Sequence, residues 1–167
     1  MRARRGRRAA ADRREPCVAG VGEPRRPERF RFERAGFTVD GWVMKPVGFT
    51  EGRRYPALLN IHGGPHAQYG LGFFDEFQVQ AAAGFGVIFL NPRGSQGYGE
   101  DFTRAVVGDW GGGDYADVMA GLDEALRRAR WIDPGGWACW AAATAAFLPR
   151  GRWATPAVSR PPARSAR

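Results

Sequence analysis

The chain has 167 residues with a hydrophobic fraction of 44%, which is the length and composition of one globular domain. No apolar run approaches the ~18 residues of a membrane-spanning helix, and two distant cysteines (Cys17, Cys139) with two histidines (His62, His66) give neither a disulfide framework nor a metal centre. The net charge of +8 is unevenly spread: residues 1–34 carry twelve Arg against five acids, residues 134–167 five Arg and no acid, and the middle is acidic by four.

Residues 1–26 are a low-complexity run of Arg, Ala, Gly and Pro without an apolar h-region. They read as a disordered leader and not as a secretory signal, so a cytoplasmic protein is expected. From Pro27 the texture changes. Phe30 and Phe32, then Phe37, Val39, Gly41 and Val43, alternate with period two, as strands do. Pro56–Ile61 is a short apolar run suited to a buried strand. Phe73–Ala83 reads as a helix stopped by Gly84, and Gly86–Leu90 as another buried strand. A loop follows, then a helix capped by Asp114 and running to about Arg130, with Val118, Met119, Leu122, Ala125 and Leu126 on one face. Strands interleaved with helices predict an α/β fold with a mainly parallel sheet over residues 27–133. After Asp133 the rhythm stops, and no strand is legible among the Ala, Pro, Arg and Trp of residues 134–167.

Three stretches carry chemistry. Asn60-Ile-His-Gly-Gly-Pro65 follows a buried strand, where paired glycines turn the backbone tightly and direct N–H groups into a cleft, as an oxyanion loop does. Leu90-Asn-Pro-Arg-Gly-Ser-Gln-Gly-Tyr-Gly99 leaves the carboxyl end of the next strand, the usual place for sites in open α/β sheets. In it Arg93 can meet a carboxylate or carbonyl, Gly94 precedes Ser95, and Tyr98 can pack or donate. Ser95 reads as a turn serine, because Arg93 stands where the first glycine of G-x-S-x-G belongs. Gly108-Asp-Trp-Gly-Gly-Gly-Asp-Tyr-Ala-Asp117 clusters acids without calcium-loop spacing.

Together "GWVMKPVGF…YPALLNIHGGPHAQYG", "FFDEFQVQAAAGFGVIFLNPRGSQGYGEDF" and "GDWGGGDYADVMAGLDEAL" resemble the peptidase domain of the prolyl oligopeptidase family, nearest its acylaminoacyl-peptidase and dipeptidyl-aminopeptidase branch, over about residues 27–134. The resemblance implies the N-terminal part of an α/β-hydrolase fold, serine hydrolysis of short peptides, no cofactor, His62-Gly63-Gly64 as the oxyanion loop, and Arg93, Gly94, Ser95 and Tyr98 as a loop beside the active site. It also implies a β-propeller ahead of the catalytic domain.

The family continues with a Gly-Gly-Ser-x-Gly-Gly turn. Here the only serines are Ser95, Ser159 and Ser165, and the last two lack flanking glycines. Both histidines precede the nucleophile's place, whereas this fold orders its triad Ser, Asp, His, so no catalytic residue is assigned and the chain is expected to be inactive. The genetic code accounts for the tail. If one base is missing near Pro134-Gly135, the Trp137–Ala138 and Trp140–Ala141 junctions re-read as glycine and the Cys139–Trp140 junction as leucine. With ordinary codon choices the run can then read Leu-Gly-Val-Leu-Gly-Gly-Ser-Tyr-Gly-Gly-Phe, and the Trp153–Ala154 junction gives another glycine where His-Thr can follow. Residues 134–167 are therefore expected to be an out-of-frame, disordered tail. Two rival functions remain. One is an esterase of the same fold, since fold does not choose the bond cleaved. The other is nucleic-acid binding through the arginine-rich ends, which ranks last because the leader has no aromatic residue before Phe30 to stack on bases.

Overall fold

The computed structural model describes residues 23–141. The expectations for residues 1–22 and 142–167 lie outside the described residues. Arg25, which the sequence reading leaves in the leader, is tied to the domain: its N–H donates to Gln78 Oε1 (2.8 Å) and its carbonyl accepts from Gln78 Nε2 (2.9 Å).

The first described elements are a hairpin of β1 (Glu28–Arg34) and β2 (Phe37–Met44). Its two-residue turn has positive φ at both Ala35 and Gly36, the backbone twist that lets antiparallel strands close without splaying. Next come β3 (Tyr55–Ile61), α1 (Asp75–Ala82), β4 (Gly86–Asn91), α2 (Glu100–Arg104), α3 (Gly113–Arg128) and β5 (Ile132–Ala141). The sheet order is β1-β2-β4-β3-β5. The expected parallel arrangement holds for β4, β3 and β5, while β1–β2 and β2–β4 pair antiparallel, so the sheet is mixed.

All six residues of β4 are buried, because both faces of the sheet are covered. Ile88 and Leu90 face a cluster with Leu59, Val118, Leu122 and Ala125 under α3. Val87 and Phe89 face Trp42, Met44, Phe77 and Ala81 under α1. The polar residue in the apolar run of β3 is satisfied in place: Asn60 and Gln80 exchange amide hydrogen bonds of 2.8 and 2.9 Å, pinning β3 to α1.

Three elements differ from the sequence reading. α2 lies inside the predicted loop; it is only five residues long and buries Phe102. Asp114 does not cap α3: Gly112 stands at the cap position, and the Asp109 carboxylate accepts from Gly113 N (2.9 Å). The third correction is β5, a strand where none was legible. It pairs with β3 from Trp137 to Ala141 after a register break that absorbs Asp133, Pro134, Gly135 and Gly136. Among the described residues no helix is long and apolar enough to cross a membrane.

Candidate active-site loops

β3 and β4 run parallel, so the loops that leave their carboxyl ends emerge side by side at one edge of the sheet. The first begins at His62 and the second at Pro92. They are joined by direct bonds: Gln96 N donates to Ala67 O (3.1 Å), and His66 Nδ1 lies 3.0 Å from Gly94 O.

His62 and Ser95 meet between the two loops, with Nε2 2.9 Å from Oγ. The pair superficially suggests a nucleophile and its base, but its surroundings make it a strut. Ser95 is 0% exposed, and its hydroxyl donates to Pro92 O at 2.6 Å. With that proton engaged Oγ can only accept, and the Gly63 carbonyl opposite Nδ1 can only accept as well, so no single neutral tautomer of His62 serves both contacts. His62 Nδ1 faces the Gly63 carbonyl at 3.1 Å and no carboxylate orients it. Burial holds the imidazole below the ordinary histidine value, against the opposing pull of the Gly63 carbonyl. Gly63 and Gly64 complete this turn, and Gly64 has a φ of 137° followed by a cis bond to Pro65. A side chain at Gly64 would come within 2.7 Å of His66 N, so only glycine fits.

The other members of the second loop are fixed by carboxylates that sequence reasoning missed. The Arg93 guanidinium forms a two-pronged ion pair with Asp117, through Nε and Nη2 at 2.8 Å each. Tyr98 donates its hydroxyl to Asp40 Oδ2 (2.9 Å) and accepts from Asn91 Nδ2 (2.8 Å). Asn91 also exchanges bonds with the Tyr69 backbone, linking both loops to the end of β4. Asp40 further accepts from Arg29 and Arg31. Burial opposes ionisation of Asp40, but these arginines and Tyr98 outweigh it and hold the carboxyl below its ordinary value. Among the described residues no three His, Cys, Asp or Glu converge as metal ligands.

Burial, reinforced by the bond to Asp40, pushes the Tyr98 hydroxyl up to about 12, although the Asn91 bond pulls the other way. Between pH 10 and 12 the unfolded chain therefore loses this proton while the folded chain keeps it, and stability falls as pH rises. Tyr98→Phe should flatten that part of the stability-versus-pH curve in alkaline urea titrations. A slope unchanged from the parent would show that Tyr98 is not held in this way.

The family model described as "Prolyl oligopeptidase family" matches residues 71–142. The chain is 51% identical over 109 residues to the uncharacterized peptidase YuxL of Bacillus subtilis, a match that covers 65% of this chain and 17% of that protein. It is 38% identical over 100 residues to dipeptidyl-peptidase 5 of Schizosaccharomyces pombe, covering 59% of this chain and 15% of that one. The acylaminoacyl peptidase of Pyrococcus horikoshii superposes on 71% of this chain with a TM-score of 0.68 and 35% identity, using 19% of its own length. The chain thus spans under a fifth of these relatives. The mixed sheet and its covering helices are part of an α/β-hydrolase fold. Sequence and architecture agree in supporting a fragment of a prolyl oligopeptidase family protein.

Proposed function

We propose that the gene encoding this chain specifies a serine peptidase that hydrolyses short peptides, and that the 167-residue chain as written is catalytically inactive. In this reading the turn at His62, Gly63 and Gly64 supplies an oxyanion-hole N–H. Arg93, Gly94, Ser95 and Tyr98 form a wall of the site. The nucleophile is encoded in the neighbouring frame.

One observation carries the proposal. β5 lies parallel to β3 with Ala141 opposite Ile61, so its carboxyl end stands beside His62. The re-read frame permits a serine at the junction of codons 142 and 143, directly beyond that strand end. A Gly-Gly-Ser-Tyr-Gly-Gly turn there would set the hydroxyl at the edge where the 62–65 loop turns, which is the relation a nucleophile needs to an oxyanion donor. The names of the relatives, a dipeptidyl-peptidase and an acylaminoacyl peptidase among them, favour a peptide bond over an ester as the target.

The test is to resequence the coding DNA around Asp133 and express the frame-restored product. It should gain covalent labelling by a fluorophosphonate and hydrolyse aminoacyl or peptidyl chromogenic substrates. DNA that supports the printed frame without a Gly-x-Ser-x-Gly in the alternative one would defeat the frame argument. Cleavage of esters with no action on peptides would move the assignment to the esterase reading.

A further inference from the structure

We propose that Asp117 is the positioning residue of the Arg93–Tyr98 loop, acting through Arg93 across the bare surface of Gly113. The inference rests on the peptidase reading only in treating that loop as a wall of the site.

Asp117 is 0% exposed and belongs to α3, yet its hydrogen bonds go to the loop after β4. Oδ2 accepts from the Arg93 backbone N–H (3.0 Å) and from Nε (2.8 Å), and Oδ1 accepts from Nη2 (2.8 Å). One carboxylate therefore fixes both the main chain and the guanidinium of the first residue after Pro92. Arg34 adds a longer contact at 3.4 Å. A buried carboxylate deprived of its cation is costly, so Asp117 holds this arrangement firmly.

The adjoining glycine makes room for the lock. A Cβ on Gly113 would come within 2.9 Å of both Cδ and Nη1 of Arg93, so the arginine occupies the space a side chain would fill. The Phe37 ring lies 5.5 Å from the guanidinium carbon and bounds it further. Arg93 is left only 13% exposed and is engaged inside the protein, which makes it a strut and not a ligand for substrate. From Arg93 the constraint passes two residues on to Ser95, and through Ser95 to His62 in the companion loop. This joins the Asn-Pro-Arg-Gly-Ser stretch to the Gly-Gly-Gly-Asp-Tyr-Ala-Asp stretch as one device.

Hydrogen exchange read by mass spectrometry on the full chain tests it, and works equally on monomeric or associated material. Asp117→Asn keeps the shape and removes the charge. It should speed exchange across residues 92–98 by roughly tenfold or more, as expected for loss of charge-assisted bonds, while β3 and β4 change little. Gly113→Ala should loosen the same residues with Asp117 intact. Arg93→Lys keeps the charge without the fork and should leave the loop loose. Uniform loss of protection across β3, β4 and the loop would reduce Asp117 to general structural support and overturn the proposal; so would an unchanged loop in both Asp117→Asn and Gly113→Ala. In the frame-restored product, Asp117→Asn should lower kcat more than it raises KM. If that product shows no activity at all, the peptidase reading fails while the exchange result still judges Asp117.

Discussion

Treated with a fluorophosphonate probe, the 167-residue chain should remain unlabelled and should release no chromophore from peptidyl substrates. Its serines are Ser95, Ser159 and Ser165. Among the described residues Ser95 is the serine beside the proposed oxyanion turn, and it is fully buried with its hydroxyl spent on Pro92 O. A nucleophile must be reachable, with its proton within reach of a base whose other nitrogen is oriented by an acid. His62 meets Ser95 through Nε2 but turns Nδ1 to the Gly63 carbonyl, so it lacks the group that would stabilise an imidazolium. Burial also lowers the proton affinity of His62, which weakens it further as a base. Loss of a serine nucleophile costs on the order of a million-fold in kcat in enzymes of this type, enough to take turnover below detection. Mass spectrometry of the probe-treated chain checks this directly. A stoichiometric adduct on Ser95 would show that the 92–99 loop opens and that the strut reading is mistaken.

The parts of the fold that could be read in the sequence are those whose signal is local. Gly86–Leu90 is apolar at every step because β4 is covered on both faces. The α3 face of Val118, Leu122 and Ala125 repeats at helical spacing because one side of that helix meets the sheet. The two glycine-bearing turns stand out because they follow buried strands. Other features depend on partners far along the chain. An aspartate in a strand or on a helix face ordinarily reads as solvated. Asp40 is buried because Arg29 and Arg31 reach it across the hairpin, and Asp117 because Arg93, 24 residues away, is folded onto it. β5 was hidden for another reason. Its opening Pro134-Gly135-Gly136 has turn composition, and those residues do sit in a register break; the ladder proper begins only at Trp137. α2 is too short for helical periodicity to show.

The same sheet order leads to the second large expected effect, concentration-dependent self-association through β5. Among the described residues β1 and β5 each have one neighbour and so form the two edges. Unpaired strand edges template association unless charge, proline or a bulge interrupts them. β1 is interrupted heavily, with Glu28, Arg29, Arg31, Glu33 and Arg34 along its seven residues. β5 is interrupted only at its start, by Asp133 and the register break. Its ladder portion, Trp137–Ala141, carries no charge at all, and Trp140 is 54% exposed. The Trp140 indole donates to Glu76 of α1, which fixes the ring without covering it. Sedimentation velocity across a hundredfold range of concentration should therefore show a species that grows with concentration. Trp140→Lys is the discriminating variant. The ammonium can pair with Glu76 in place of the indole, so the local contact is kept while a charge is placed on the edge. It should shift the distribution strongly toward monomer. Association unchanged by Trp140→Lys would place the contact elsewhere, with the exposed Leu71, Phe73 and Phe74 ahead of α1 as the next surface to test. A parent chain that stays monomeric at every concentration would mean that the edge of β5 is already protected.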